Sequence, residues 1–182
     1  MATSLINYDT EHVVAESTYL GATYGHGRIL SLAVEQNIDN GKLLAKGDYI
    51  KGDLYKGKTP TDTDAVYLIL NPPVVPTNFT KAMANDKYFY NEASNYTRRK
   101  YVGLRAYPLQ KDDIFTVTAI GITPATANTE PTVGNYVVAN GVDIKEVTKG
   151  NSLPAKAFVG EIIEKVTSTY GTKYKIQVVK NA

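Results

Sequence analysis

The second half of the chain is built from short apolar-polar alternations with a period of two, cut by turn signals. Between residues 113 and 120, Phe115, Val117 and Ala119 fall on one side, with Thr116 and Thr118 on the other. Near the end, Lys173, Lys175 and Gln177 alternate with Tyr174, Ile176 and Val178. A half-buried strand requires this period, because successive side chains leave opposite faces of a pleated ribbon. Strands are expected over residues 101–107, 113–120, 135–139, 144–147, 156–166 and 174–179, parted by Lys111-Asp112, Asn140-Gly141, Lys149-Gly150-Asn151 and Tyr170-Gly171. Asn140-Gly141 is the strongest hairpin cue and predicts a type I′ turn. Hardly any helical period occurs. The fold class expected is all-β, a β-sandwich or small β-barrel of short antiparallel strands, with an N-terminal arm and one long loop.

The first half is less regular. Residues 29–34 read as a strand, and residues 65–70, apolar on both faces, read as a central strand covered from both sides. Asn71-Pro72-Pro73 ends it. Between them, Lys46-Gly47-Asp48, Lys51-Gly52-Asp53 and Lys56-Gly57 recur at a spacing of five and read as turns, since glycine accepts positive φ. A phosphate loop would need a Gly-Lys-Ser/Thr ending and a following helix, and the aspartates would repel phosphate. Residues 72–100 form a long connection with at most one short helix, near residues 79–84; such connections often carry function. Residues 1–27 form an N-terminal arm or edge segment, and residues 28–182 a single β-rich domain. Leu5, Ile6, Tyr8, Val13 and Val14 are placed to dock on a neighbour, or else belong to a first strand of the same domain.

Chemistry is sparse. The chain has 182 residues, no cysteine, no tryptophan and two histidines, His12 and His26. No disulfide, thiolate metal site or cysteine nucleophile is available. Neither histidine belongs to a short metal-ligand motif, and no nucleophile elbow occurs. Asp62/Asp64 and Asp112/Asp113, the nearest to paired carboxylates, lie in turn-like segments where aspartate caps backbone amides. No catalytic residue, metal site or cofactor is expected, and the protein is read as non-enzymatic. A formal charge of +2 gives no strong pull toward nucleic acid or anionic membrane. The first residues lack a signal peptide's apolar run, and no stretch is apolar enough to span a bilayer. Synthesis in the cytoplasm is therefore expected, and the sequons at Asn78 and Asn95 read as chance.

One constellation stands out. Tyr88, Phe89, Tyr90, Tyr96 and Tyr101 bracket Arg98, Arg99 and Lys100. Aromatic rings beside guanidinium groups suit a protein contact, or stack bases and pair with phosphates. The same residues also fit a loop that packs its tyrosines on its own domain.

The order of these features resembles the auxiliary head proteins of tailed bacteriophages. The residues that carry the resemblance are the Lys-Gly region 46–57, Val66 to Val74 with its Asn71-Pro72-Pro73, Gly103 to Leu109, Lys111 to Thr118, and Phe158 to Glu164. It spans residues 43–179 and rests on strand and turn patterns. Asp112 departs from it, standing where the glycine of a Gly-Asp turn is expected. The resemblance implies a capsid decoration or cement protein: a non-enzymatic β-protein that binds the major capsid protein on the virion's outer surface and stabilises the shell. It implies trimers, a form of homo-oligomer, or arrays of monomers as the binding form; an adaptor that anchors a head fibre on the particle is a separate reading with the same surface logic. The alternative from the residues alone is a nucleic-acid- or glycan-binding β-module that uses the loop at 88–101.

Overall fold

The computed structural model describes residues 13, 15–34, 38–70, 103–168 and 171–182. The expected short helix near residues 79–84 and the aromatic loop at 88–101 lie outside them. The described chain is all-β. Its strands are β1 (Ala15–Tyr19), β2 (Leu30–Ala33), β3 (Leu43–Lys51), β4 (Leu54–Lys58), β5 (Val66–Ile69), β6 (Leu104–Pro108), β7 (Ile114–Thr118), β8 (Ile122–Thr123), β9 (Tyr136–Asn140), β10 (Asp143–Val147), β11 (Phe158–Ser168) and β12 (Gly171–Asn181). Two 3-10 turns, Gly21–Tyr24 and Ala119–Gly121, are the helical pieces among the described residues.

The strands form two units. One is a seven-stranded sheet in the order β1-β7-β12-β11-β9-β10-β8, and the other is a closed barrel in the order β2-β4-β3-β5-β6. Pairing is antiparallel except for β8 with β10 and β2 with β4, which run parallel. The protein is therefore neither a plain sandwich nor a lone barrel. One wall of the barrel serves as the second layer over the sheet.

The apolar run at residues 65–70 shows why this works. Its alternate residues serve two cores. Val66 and Leu68 join Phe115, Val117, Phe158, Ile162, Tyr174 and Ile176 in the core beneath the large sheet. Tyr67 and Ile69 join Leu32, Leu44, Leu104 and Ala106 in the second, barrel core. A strand covered on both sides must be apolar throughout, which is what the sequence shows. Asn181 ties the units together: its side chain accepts from the Val66 N–H at 2.9 Å and donates to the carbonyls of Val66 (2.9 Å) and Leu109 (2.8 Å).

Two turn expectations change. In the β9–β10 hairpin Asn140 pairs with Asp143, so Gly141 and Val142 form the loop. Positive φ falls on Gly141 alone (63°), the pattern of a type II′ turn rather than type I′. Of the three Lys-Gly steps, only Lys51-Gly52-Asp53 is a turn, with Lys51 opposite Leu54 and φ of 56° at Gly52. Gly47 and Gly57 lie inside β3 and β4. A Cβ on Gly57 would stand 2.7 Å from Val34 Cγ1, and one on Gly47 would stand 2.9 Å from the Lys56 carbonyl oxygen. Close approach inside the barrel wall, not turn geometry, demands glycine there. Asp112 does hold the conformation of the expected glycine, with φ of 72°.

Tyr174 is fully buried, yet its hydroxyl has no hydrogen-bond partner among the described residues, and burial pushes its phenol up from the ordinary value. A buried hydroxyl left unpaired costs about 1–3 kcal/mol. Tyr174→Phe is expected to raise stability by about 1 kcal/mol, read as a higher urea midpoint at unchanged slope. A lower midpoint would mean that the hydroxyl is hydrogen-bonded in solution.

Candidate functional site

Of the residues singled out from sequence, Leu5, Ile6, Tyr8, Val14, Tyr88, Phe89, Tyr90, Tyr96, Arg98, Arg99 and Tyr101 lie outside the described residues. Val13 is described and is buried, 3% exposed. Its N–H donates to Asp39 Oδ2 at 3.2 Å, and its side chain fills the space beside Gly41 and Gly121. Val13 is thus packed in the protein's own core. Residues 15–19 form β1, which pairs with β7 along the end of the large sheet.

The carboxylates behave as turn caps. Asp113, buried, accepts from the N–H groups of Gly21 (2.7 Å) and Gln110 (2.8 Å). Asp64 accepts from Lys58 Nζ (2.8 Å) and from the Thr61 hydroxyl (2.7 Å) and N–H (2.9 Å). Those contacts, with Lys58 foremost, hold its carboxyl down at about 2. Asp62 pairs with Lys156 at 2.5 Å. Each is engaged in structure. No group of three or more metal-ligating side chains occurs among the described residues, and none of their helices is long and apolar enough to cross a membrane.

A candidate surface emerges instead on the β3–β4 hairpin. Register sets Tyr49 directly opposite Tyr55, with irregularities in the ladder on either side of Tyr49. The rings meet edge to face, with centroids 5.5 Å apart at 69°. Lys46 Nζ sits 4.1 Å from the centre of the Tyr55 ring, where the ring's quadrupole attracts the ammonium. Tyr55 is half-buried against the barrel core, while Tyr49 is 62% exposed. The half-buried ring anchors the pair, and the exposed ring presents it.

Beside the platform, at the hairpin tip, lies an open cleft of about 390 Å³ lined by Ser31, Lys51, Gly52, Asp53, Leu54 and Gly103. The Ser31 hydroxyl donates to Asp53 Oδ2 at 3.2 Å, and the Ser31 N–H donates to the Asp53 carbonyl at 3.2 Å. These bonds fix the tip against β2. The charges of the hairpin are mixed: Lys56 pairs with Asp48 (3.4 Å), and Lys58 with Asp64 (2.8 Å).

Reading 46–57 as successive turns concealed this surface. A signal was nonetheless present, because Tyr49 and Tyr55 lie three residues either side of Gly52. A single turn at Gly52 brings them opposite each other across the hairpin.

Compared with protein-family models, with curated proteins and with solved structures, the chain matches none.

Proposed function

We propose that the protein is a non-enzymatic virion component that attaches to the outer surface of a phage capsid and stabilises it. The observation that carries this reading is the Tyr49–Tyr55–Lys46 platform on a closed barrel. Tyrosine offers a large contact area with few rotors, and a partner that meets a ring already held in place loses less entropy on binding. The resemblance of residues 43–179 to auxiliary head proteins names the kind of partner, an assembled shell of major capsid protein. A modest contact repeated over many copies stabilises such a shell by mass action, with no single contact being strong.

Lysines beside aromatic rings also suit single-stranded nucleic acid. Four lysines against two aspartates lie between residues 46 and 58, an excess of two, and Asp64, paired with Lys58, offsets one of these. The electrostatics favour a protein surface over a phosphate backbone.

The test is attachment to heads stripped of their outer proteins by wild type and by a Tyr49→Ala variant, at low and at moderate salt. Attachment is expected to survive moderate salt. Removing the exposed ring is expected to weaken it about tenfold, about 1.4 kcal/mol, as for a mid-strength interface residue. Affinity for oligonucleotide that falls steeply with salt, with no affinity for heads, would establish the other reading.

A further inference from the structure

The chain holds two Asn-Gly pairs, Asn40-Gly41 and Asn140-Gly141, and the fold places them in opposite circumstances. Asparagine is chemically labile, most of all before glycine, whose missing Cβ leaves the backbone nitrogen open to the side-chain amide. Asn40 is 6% exposed, and the Gly41 N–H donates to the Ile69 carbonyl at 2.8 Å. The nitrogen that would attack there is engaged and away from water. Asn140 is exposed, at the end of β9. Gly141 stands in the two-residue loop with φ of 63°, and its N–H meets no acceptor among the described residues.

We propose that Asn140 is a site of spontaneous deamidation, and that its conversion loosens the join between sheet and barrel. The Gly141 nitrogen gives its proton to water and bonds to Asn140 Cγ; the Cγ–Nδ2 bond breaks and ammonia leaves. Water then opens the cyclic imide. Opening at Cγ leaves aspartate. Opening at the main-chain carbonyl carbon leaves isoaspartate, whose backbone runs through the side chain and is longer by a carbon atom. Pairing with Asp143 holds the Asn140 backbone extended, so closure of the ring waits on local opening and is slower than in the unfolded chain. At Asn40, burial and the bond at Gly41 suppress it further. The aspartate product sets a carboxylate opposite Asp143, and like charges directly opposite destabilise a sheet. The position matters because this loop touches the barrel. The Val142 carbonyl accepts from the Leu43 N–H at 2.9 Å, Val142 packs against the barrel core, and Asp143 pairs with Lys42 at 2.5 Å. A longer backbone just ahead of Val142 displaces it from that seat. The inference is independent of what the Tyr49 surface binds.

The test is peptide mapping by mass spectrometry of the full chain aged in mildly alkaline buffer, folded and in urea, reading the amide lost at each asparagine. In urea the two sites are expected to convert at similar rates. In the folded protein Asn140 is expected to convert about tenfold faster than Asn40, the factor that one hydrogen bond supplies. Conversion of Asn140 no faster than Asn40 in the folded chain would overturn the proposal. A like difference that persists in urea would overturn it too, because the fold would then not be its cause. The aged fraction carrying the change at Asn140, separated by its added charge, is expected to unfold at lower urea than an Asn140→Asp variant. That variant has the charge without the longer backbone, so equal midpoints would overturn the loosening of the join.

Discussion

Glu146→Ala is expected to destabilise the protein by about 3 kcal/mol, the largest loss anticipated for any polar side chain in it. Glu146 is 2% exposed, and its carboxylate gathers three donors: the Ala125 N–H at 2.8 Å, the Thr132 N–H at 2.8 Å and Asn135 Nδ2 at 2.6 Å. Residues 124–135 contain no strand, and this one side chain on β10 joins three points of the segment to the sheet, beside the backbone bonds of Gly134 and Asn135 with Ile162. Alanine leaves all three donors without their acceptor, and bonds to a charged group are worth about 1.5–3 kcal/mol each, partly recovered where water can enter. Glu146→Gln recovers only part, because its oxygen can keep the bonds from Thr132 and Asn135 while its nitrogen turns a donor against the Ala125 N–H. Burial alone would push this carboxyl up, but the bonds from Ala125, Asn135 and Thr132 outweigh it and hold it below the ordinary 4.5. A lowered folded-state value means that the stabilisation is complete above the unfolded value and lost as pH falls through the folded one. Denaturant midpoints from pH 7 downward therefore decline more steeply for wild type than for Glu146→Ala. Parallel declines would show that the carboxylate is not anchored as described.

Gly103→Ala is expected to cost about 2 kcal/mol through overpacking alone. A Cβ at this position would lie 2.4 Å from Ser31 Cβ, 2.7 Å from Leu54 Cδ1 and 3.0 Å from Ser31 Cα. The first and last of these atoms belong to or adjoin the backbone of β2, so no rotamer change relieves the contact; β2 must shift. β2 closes the barrel by pairing with both β4 and β6. The movement therefore reaches the hairpin that carries Tyr49 and Tyr55. Gly52→Ala supplies the contrast. Nothing lies within 4 Å of its added Cβ, and only the positive φ opposes it, at about 1 kcal/mol. Chemical denaturation of both variants measures the difference; equal losses would mean that the wall at Gly103 is looser than drawn.

The residues show which parts of this architecture were legible beforehand. β9, β10 and β11 are legible as short apolar runs parted by turn signals, while β7 and β12 announce themselves by alternation, because one face of each lies over a single large core. β5 is legible as doubly covered for the same physical reason. β1 is not, since an edge strand with Glu16, Ser17 and Tyr19 exposed shows no periodic apolar face. β3 and β4 are masked by Gly47 and Gly57, which suggest turns although they serve close packing in a curved wall. Barrel closure depends on the parallel β2–β4 pair and on β2 with β6, contacts that no local turn dictates. At the site level, Glu146 could have been noticed. It shares the inward parity of Ile144 in β10, and a carboxylate on a core-facing position must find partners.

The most direct test of a surface-binding virion protein is co-sedimentation of the purified chain with intact heads and with heads stripped of their outer proteins, read as copies bound per particle. Saturation at one fixed, symmetry-compatible number on stripped heads, with less binding to intact heads, is the expected result. No binding to either particle by a folded, monodisperse protein would contradict the capsid reading.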